Sequence, residues 1–437
     1  MTASATDTDG YLIAGDALRG FAALAVLVFH GYLGVAILVV PLDQNVDWGL
    51  FGDVSVRLSS GLYVFFALSG YLVGGPWVRA WLLGDGFPRP LDYLGRRARR
   101  IVPAFWVVGA ALLLWFGTSG AGTRDVLILL AFGQVFLEGQ VQYIMPQGWS
   151  LDIELMFYLA LPVLAGLALH VWGVPASART RRRALVAFLA VAFVGGIALR
   201  AGPPDTLEQA GARNLFAFAW AFVPGLALAA IEPVASVRLK DRREGRRIAL
   251  ALGALGTASF GALVLFDLND GRLATLLAYA GCGTGFVGGA LAWQWATGAA
   301  PRGLDNRVVH ALGRWSYGIY LIHVGVGVEL IKHVPEGLAP GLALALVLGG
   351  MLAVSIPLAA LLWWIVEKPA ITGRRPRRPR LRAPGVRSRV APAGVPTPTG
   401  PSVAAVAPTD PSVEAAAPTR SSSAAAAPDA VPAPAAK

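Results

Sequence analysis

Arg19 and His30 stand eleven residues apart in an apolar segment that reads Leu18-Arg-Gly-Phe-Ala-Ala-Leu-Ala-Val-Leu-Val-Phe-His30. On a helix, eleven steps of about 100° close nearly three turns, so the two side chains share one stripe and lie roughly 16 Å apart along it. An ionisable residue inside a membrane-length apolar run costs about 2.5–3.5 kcal/mol on insertion scales, and such residues usually mark a functional path. The plainer alternative is an arginine snorkelling at a helix end and a histidine bonded to a neighbouring helix.

Three further segments carry groups with chemical potential. In Leu94-Gly-Arg96-Arg97-Ala-Arg99-Arg100-Ile-Val-Pro103, a dense basic turn, Arg97 and Arg100 fall at i,i+3 on one helix face. Two guanidinium groups so placed can clamp phosphate oxygens with charge-assisted bonds, or simply anchor the topology. In Gln147-Gly-Trp149-Ser150-Leu-Asp152-Ile-Glu154-Leu-Met-Phe-Tyr158, Ser150 is a candidate N-cap and Asp152 can sit at the positive helix end. Glu154 and Tyr158 come next at i,i+4, and a carboxyl at that depth must be paired, protonated or facing water. In Trp315-Ser316-Tyr317-Gly-Ile-Tyr320-Leu-Ile-His323, the residues Ser316, Tyr320 and His323 make a polar stripe. Such a stripe reads as a hydrogen-bonded helix seam or a lined cavity. Phe65-Phe-Ala-Leu-Ser-Gly-Tyr71 reads as a packing motif, and Val366-Glu367-Lys368-Pro369 as the stop of a span. None of the five histidines sits in an H-E-x-x-H arrangement, and there is no C-x-x-C, so no metal site is expected. No G-x-S-x-G elbow or Walker A loop is present either, which removes the soluble hydrolase and nucleotide hydrolase readings.

The elements that must hold these groups are membrane helices. The chain is 55% hydrophobic and 14% charged, with one cysteine, Cys282, that excludes an intrachain disulfide. Mean hydropathy is +0.59. Apolar runs at 18–40, 58–79, 101–117, 149–172, 184–200, 214–231, 248–266, 273–296, 315–332 and 339–366 approach or exceed the roughly 20 residues a span needs. A shorter eleventh run covers 126–137. Basic loops at 79–100, 179–183, 238–247 and 302–314 lie on one side if the positive-inside rule holds. The stretch 118–148 must then enter and leave on the same face. The expected fold is an all-α polytopic helical bundle of about ten transmembrane helices plus one re-entrant or interfacial segment, with both termini cytoplasmic.

Residues 1–15 form a polar N-terminal segment without the marks of a signal peptide, 16–371 the membrane domain, and 372–437 an Arg/Pro-rich then Pro/Ala-rich tail expected to be disordered. The formal charge of +11 does not point to nucleic acid, because the residues from Arg374 onward carry +7 of it. The cluster 374–389 is instead expected to lie against anionic headgroups or to serve as a topology anchor.

Taken in order, these motifs resemble acyltransferase family 3, the bacterial integral-membrane O-acyltransferases. The resemblance covers about Ala14 to Pro369 and rests on Leu18-Arg19-Gly-Phe-Ala-Ala…His30, Phe-Phe-Ala-Leu-Ser-Gly-Tyr-Leu, Arg97-x-x-Arg100-Ile-x-Pro, Gly-Trp-Ser-Leu-x-x-Glu154-x-x-Phe-Tyr, Ser-Tyr-Gly-Ile-Tyr-Leu-Ile-His323 and Glu367-Lys-Pro. It implies an acyl-CoA donor, an acyl group that is acetyl by family habit, a carbohydrate or glycoconjugate acceptor that is a cell-envelope glycan or alternatively a secondary-metabolite sugar, and a place in a bacterial plasma membrane. The family's essential Arg and His map onto Arg19 and His30, and its Arg-x-x-Arg pair onto Arg97 and Arg100. Without a Gly-Asp-Ser segment in the tail, the chain resembles the stand-alone form. On this reading His30 is the base, because imidazole alone titrates near pH 7 unperturbed. Arg19, Arg97 and Arg100 hold the CoA end, and Glu154 orients His30 or binds acceptor hydroxyls. Tyr158, Tyr320 and His323 are substrate-pocket candidates. The rival classes are a transporter or flippase, whose paths also use intramembrane ionisable groups, and a non-catalytic partner in polysaccharide assembly. Reporter fusions at Gln142 and Thr180 are expected to report opposite sides of the membrane; a shared side would overturn the topology.

Overall fold

Apolar sequence of membrane length, punctuated by Pro, Gly and Asn, produces a bundle with no strand among the described residues. The computed structural model describes residues 12–40, 46–118, 122–136, 145–172, 177–201, 213–266 and 272–373. The N-terminal segment before Leu12 and the tail beyond Gly373, including the cluster 374–389, lie outside the described residues.

The first helix, α1 (Gly15–Leu38), carries both Arg19 and His30 without a break. The second expected span is broken into α2 (Gly49–Arg57), α3 (Ser60–Ser69), a π turn (Gly70–Gly74) and α4 (Gly75–Leu83). Then come α5 (Pro90–Phe116), the short α6 (Thr123–Leu130), α7 (Trp149–Trp172) and α8 (Ala178–Arg200). The second half comprises α9 (Leu215–Arg238), α10 (Arg242–Leu265), α11 (Arg272–Thr297), α12 (Arg307–Ile331) and α13 (Pro340–Leu362). A second π turn (Trp363–Glu367) leads into α14 (Lys368–Thr372).

Nine helical segments among the described residues are long and apolar enough to cross a membrane. The one expected span outside those nine, 315–332, corresponds to the 25-residue α12, which packs along α1 and α13. At eight residues, α6 is too short to cross. The turn after it is tied down by Asp152, whose carboxylate accepts the Val135 N–H at 3.0 Å, and by Gln134, which donates to the Met145 carbonyl at 2.9 Å. Phe132 stacks on Phe105 of α5 with ring centroids 4.1 Å apart.

The basic stretches belong to helices rather than loops. Pro90 starts α5, so Arg96, Arg97, Arg99 and Arg100 form its first turns and not a separate basic turn. Arginine is a good helix former, and Pro at the first turn gives up an N–H that would have no partner. Likewise α8 begins at Ala178, with Ser177 capping the Thr180 N–H, and α10 begins at Arg242, with Asp241 capping Arg243. Asn306 caps α12 through the Val308 and Val309 N–H groups. Ser150 is not a cap: its hydroxyl donates to the Gln147 carbonyl at 3.2 Å.

Small residues set the close crossings. A Cβ on Gly225 of α9 would overlap the Ala67 carbonyl oxygen, and one on Gly313 of α12 would overlap the Asp16 carbonyl oxygen. These contacts bring backbones together where larger side chains would hold helices apart. Cys282 packs in the same way, buried against Gly256 of α10. Gly225→Ala is expected to abolish the monodisperse detergent-solubilised peak, because the clash is with backbone and overpacking already costs about 1–3 kcal/mol where side chains can shift. Gly166→Ala, which meets nothing within 4 Å, is the control expected to keep that peak.

Candidate functional site

Five elements converge on one small cavity of about 90 Å³. Its wall includes Arg19 from α1, Ser69 from α3, Arg97 and Arg100 from α5, Glu154 and Tyr158 from α7, and Tyr320 from α12. Six of the eight residues singled out in the sequence therefore share a lining. The helix periodicities account for this: Arg97 and Arg100 share a face at i,i+3, and Glu154 and Tyr158 at i,i+4.

Three guanidinium groups and one carboxylate give the wall a formal excess of two positive charges. Arg19 lies 3.8 Å from Asp16 one turn away, a long contact that leaves most of its donors uncommitted. The Arg97 guanidinium lies over the Tyr158 ring at 5.9 Å, and its Nε is buried without a hydrogen-bond partner among the described residues. Glu154 accepts from both the Ser69 and Tyr158 hydroxyls at 2.5 Å. No hydrogen bond joins it to His30 among the described residues, so the expected Glu154–His30 contact is replaced by one that ties α7 to α3.

His30 and His323 do not line this cavity; they pair with each other. His323 Nε2 lies 3.0 Å from His30 Nδ1, and their ring centroids are 4.9 Å apart. His323 is fully buried while His30 is half-buried. Tyr320 joins the two regions, because it lines the cavity and its ring centroid lies 5.7 Å from that of His323. Its hydroxyl is fixed by Ser150 at 2.6 Å and by the Gln147 carbonyl at 3.1 Å. Gln147 in turn donates to the Leu321 carbonyl at 2.7 Å, which clamps the start of α7 onto α12. Tyr317 donates to the Ile101 carbonyl at 2.9 Å, a hydrogen-bonded seam between α12 and α5. Ser316 instead bonds within its own helix, to the Gly313 carbonyl.

Several polar groups gain a role only in three dimensions. The motif around Ser69 reads as packing, yet its hydroxyl holds Glu154. Tyr71 and Arg79 both bond Glu232 of α9 at 2.6 Å, closing an ion pair beside the first π turn. The signal available was a lone acidic residue, Glu232, at the end of an apolar run. Glu367 ends the second π turn almost fully buried, at 3% exposure, so it is more than a stop signal.

Comparison with known proteins agrees with the motifs. The chain matches a family model described as an acyltransferase domain over residues 13–364. It is 30% identical over 337 residues to the exopolysaccharide production protein ExoZ of Rhizobium meliloti (strain 1021), covering 73% of this chain and 92% of that protein. No solved structure matches the chain. A family match across most of the membrane body, on helices that carry the motifs in the same order, makes this chain a member of acyltransferase family 3 and an O-acyltransferase.

Proposed function

We propose that this chain transfers an acyl group, acetyl by family habit, from acyl-CoA to a hydroxyl of a cell-envelope glycan. The observation that carries the reading is the convergence of Arg19, Arg97 and Arg100 on one cavity beside Glu154. Arginine forks match phosphate oxygens, and a site with spare positive charge favours a polyanionic donor. The buried, unpartnered Arg97 Nε suits that role, because an anion arriving there satisfies a donor that is otherwise costly to bury. The name of the relative ExoZ supports a polysaccharide acceptor. Both termini are assigned to the cytoplasm of a bacterial plasma membrane, which puts the basic helix ends on the side where acyl-CoA is made.

In this reading acyl-CoA supplies an activated thioester, and the chain supplies binding, orientation and a proton acceptor. Arg19, Arg97 and Arg100 hold the phosphate-bearing end. His30, about 16 Å along α1 from Arg19, takes the proton from the acceptor hydroxyl as its oxygen attacks the acyl carbon. The carbon–sulfur bond breaks and the proton passes to the departing thiolate. Glu154, fixed by the Ser69 and Tyr158 hydroxyls, shapes the wall against which the donor is held.

Purified protein given labelled acetyl-CoA and glycan acceptors is expected to release CoA and label the glycan. Release of no CoA with any envelope glycan would reject the reading in favour of a transporter. Arg97→Ala and Arg100→Ala are each expected to raise the KM for acyl-CoA roughly ten- to a hundredfold, the loss of one charge-assisted bond to phosphate, with kcat little changed. His30→Ala is expected to lower kcat by about a hundredfold or more with donor binding intact, the usual contribution of a general base. Retention of near wild-type kcat in His30→Ala would remove His30 from the mechanism.

A further inference from the structure

Beyond their proximity, the two histidines share a local hydrogen-bonding pattern. His30 Nδ1 lies 3.0 Å from the Val26 carbonyl oxygen, four residues back on α1. His323 Nδ1 lies 3.1 Å from the Ile319 carbonyl oxygen, four residues back on α12. A carbonyl oxygen can only accept, so each Nδ1 must carry its hydrogen. A neutral imidazole has one N–H, which leaves Nε2 of both rings as a bare lone pair. His323 Nε2 sits 3.0 Å from His30 Nδ1, and so it accepts a share of the same N–H that faces Val26.

The other tautomers fail on the same geometry. If His30 carried its hydrogen on Nε2, its Nδ1 lone pair would face the Val26 oxygen and the lone pair of His323 Nε2. If His323 also moved its hydrogen to Nε2, its own Nδ1 lone pair would face the Ile319 oxygen. Only one neutral arrangement pairs every contact. His323 is held to it, because the residue is fully buried and water cannot substitute for His30 as its partner.

We propose that His323 is a positioning residue for His30, fixing the tautomer that leaves His30 Nε2 bare and holding the ring when that nitrogen is protonated. This rests on the reading of His30 as the proton acceptor. The hydroxyl proton moves to His30 Nε2 while the Nδ1 hydrogen stays in place, now in a charge-assisted bond to His323 Nε2. As the acyl carbon–oxygen bond forms and the carbon–sulfur bond breaks, the proton leaves Nε2 for the thiolate and the neutral pair is restored. The orienting role resembles that of the third member of a hydrolytic triad, but it is filled by a neutral ring. A neutral acceptor avoids placing a second full charge among apolar helices.

The test uses the full-length protein in lipid nanodiscs, labelled with 15N-histidine, and two substitutions. The His30 signals, identified by their loss in His30→Gln, are expected to be those of a ring with hydrogen on Nδ1 and a bare Nε2. His323→Gln keeps an acceptor oxygen near the place of Nε2, and is expected to preserve that tautomer and a tenth or more of kcat. His323→Leu removes the acceptor, and is expected to mix the two tautomers of His30 and to lower kcat about a hundredfold with the KM for acyl-CoA unchanged. A wild-type His30 with its hydrogen on Nε2 would overturn the proposal, as would wild-type kcat in His323→Leu. Should His323→Leu fail to fold, the wild-type spectrum and His323→Gln still decide. If the tautomer is as expected but no preparation transfers an acyl group, the fault lies with the assigned reaction and with any catalytic role for the pair.

Discussion

A carboxylate among membrane helices must find its partners in the protein or at a cavity, and Glu154 finds two of them in hydroxyls on two helices. Ser69 reaches it from α3 and Tyr158 from its own helix. The cost of leaving such a group unpaired in a medium without water is several kcal/mol. That cost fixes how α3 and α7 approach each other. The same contact sets one wall of the cavity, where Arg97 of α5 lies over the Tyr158 ring. Arg97, Tyr158, Ser69 and Glu154 are thus one mutually dependent set.

Holding that set requires helices to cross more closely than leucine-sized contacts permit. Gly225 and Gly70 let α9 meet the α3 segment backbone to backbone, and the adjoining π turn rotates the residues beyond it. Ser69 before the turn faces Glu154, whereas Tyr71 within it faces Glu232. A π turn admits one more residue per turn than its surroundings and is a frequent device at functional sites. Here it lets two neighbouring polar groups serve two different carboxylates. The second π turn, at Trp363–Glu367, has the parallel effect of carrying Glu367 inward.

Much of this was legible in the residues. Hydropathy located the helices because a bilayer imposes both length and composition on each span. Helical spacing found the Arg97–Arg100 and Glu154–Tyr158 faces because periodicity is local. Helix starts were misplaced where arginines cluster: charge reads as loop, yet α5, α8 and α10 all run through their basic ends. The pairings that cross the chain were not legible. His30 and His323 are 293 positions apart and Tyr71 and Glu232 are 161 apart. No single-sequence pattern encodes which stripe faces which. Ser69 was missed for a related reason, since a small residue in a glycine-containing motif reads as packing until its hydroxyl is given a partner.

The unbroken course of α1 makes it a measuring rod. Arg19 and His30 are joined by hydrogen-bonded helix alone, with no proline, π turn or loop between them to absorb a change in register. Deleting or inserting one residue there would swing His30 by about 100° around the helix axis and shift it by about 1.5 Å along it. It would turn away from His323 while Arg19 stayed in its wall. Elsewhere the bundle has hinges at which length can vary, such as the π turn at Gly70–Gly74. Between these two residues it has none, so the interval of eleven is a dimension of the machine rather than an accident of spelling.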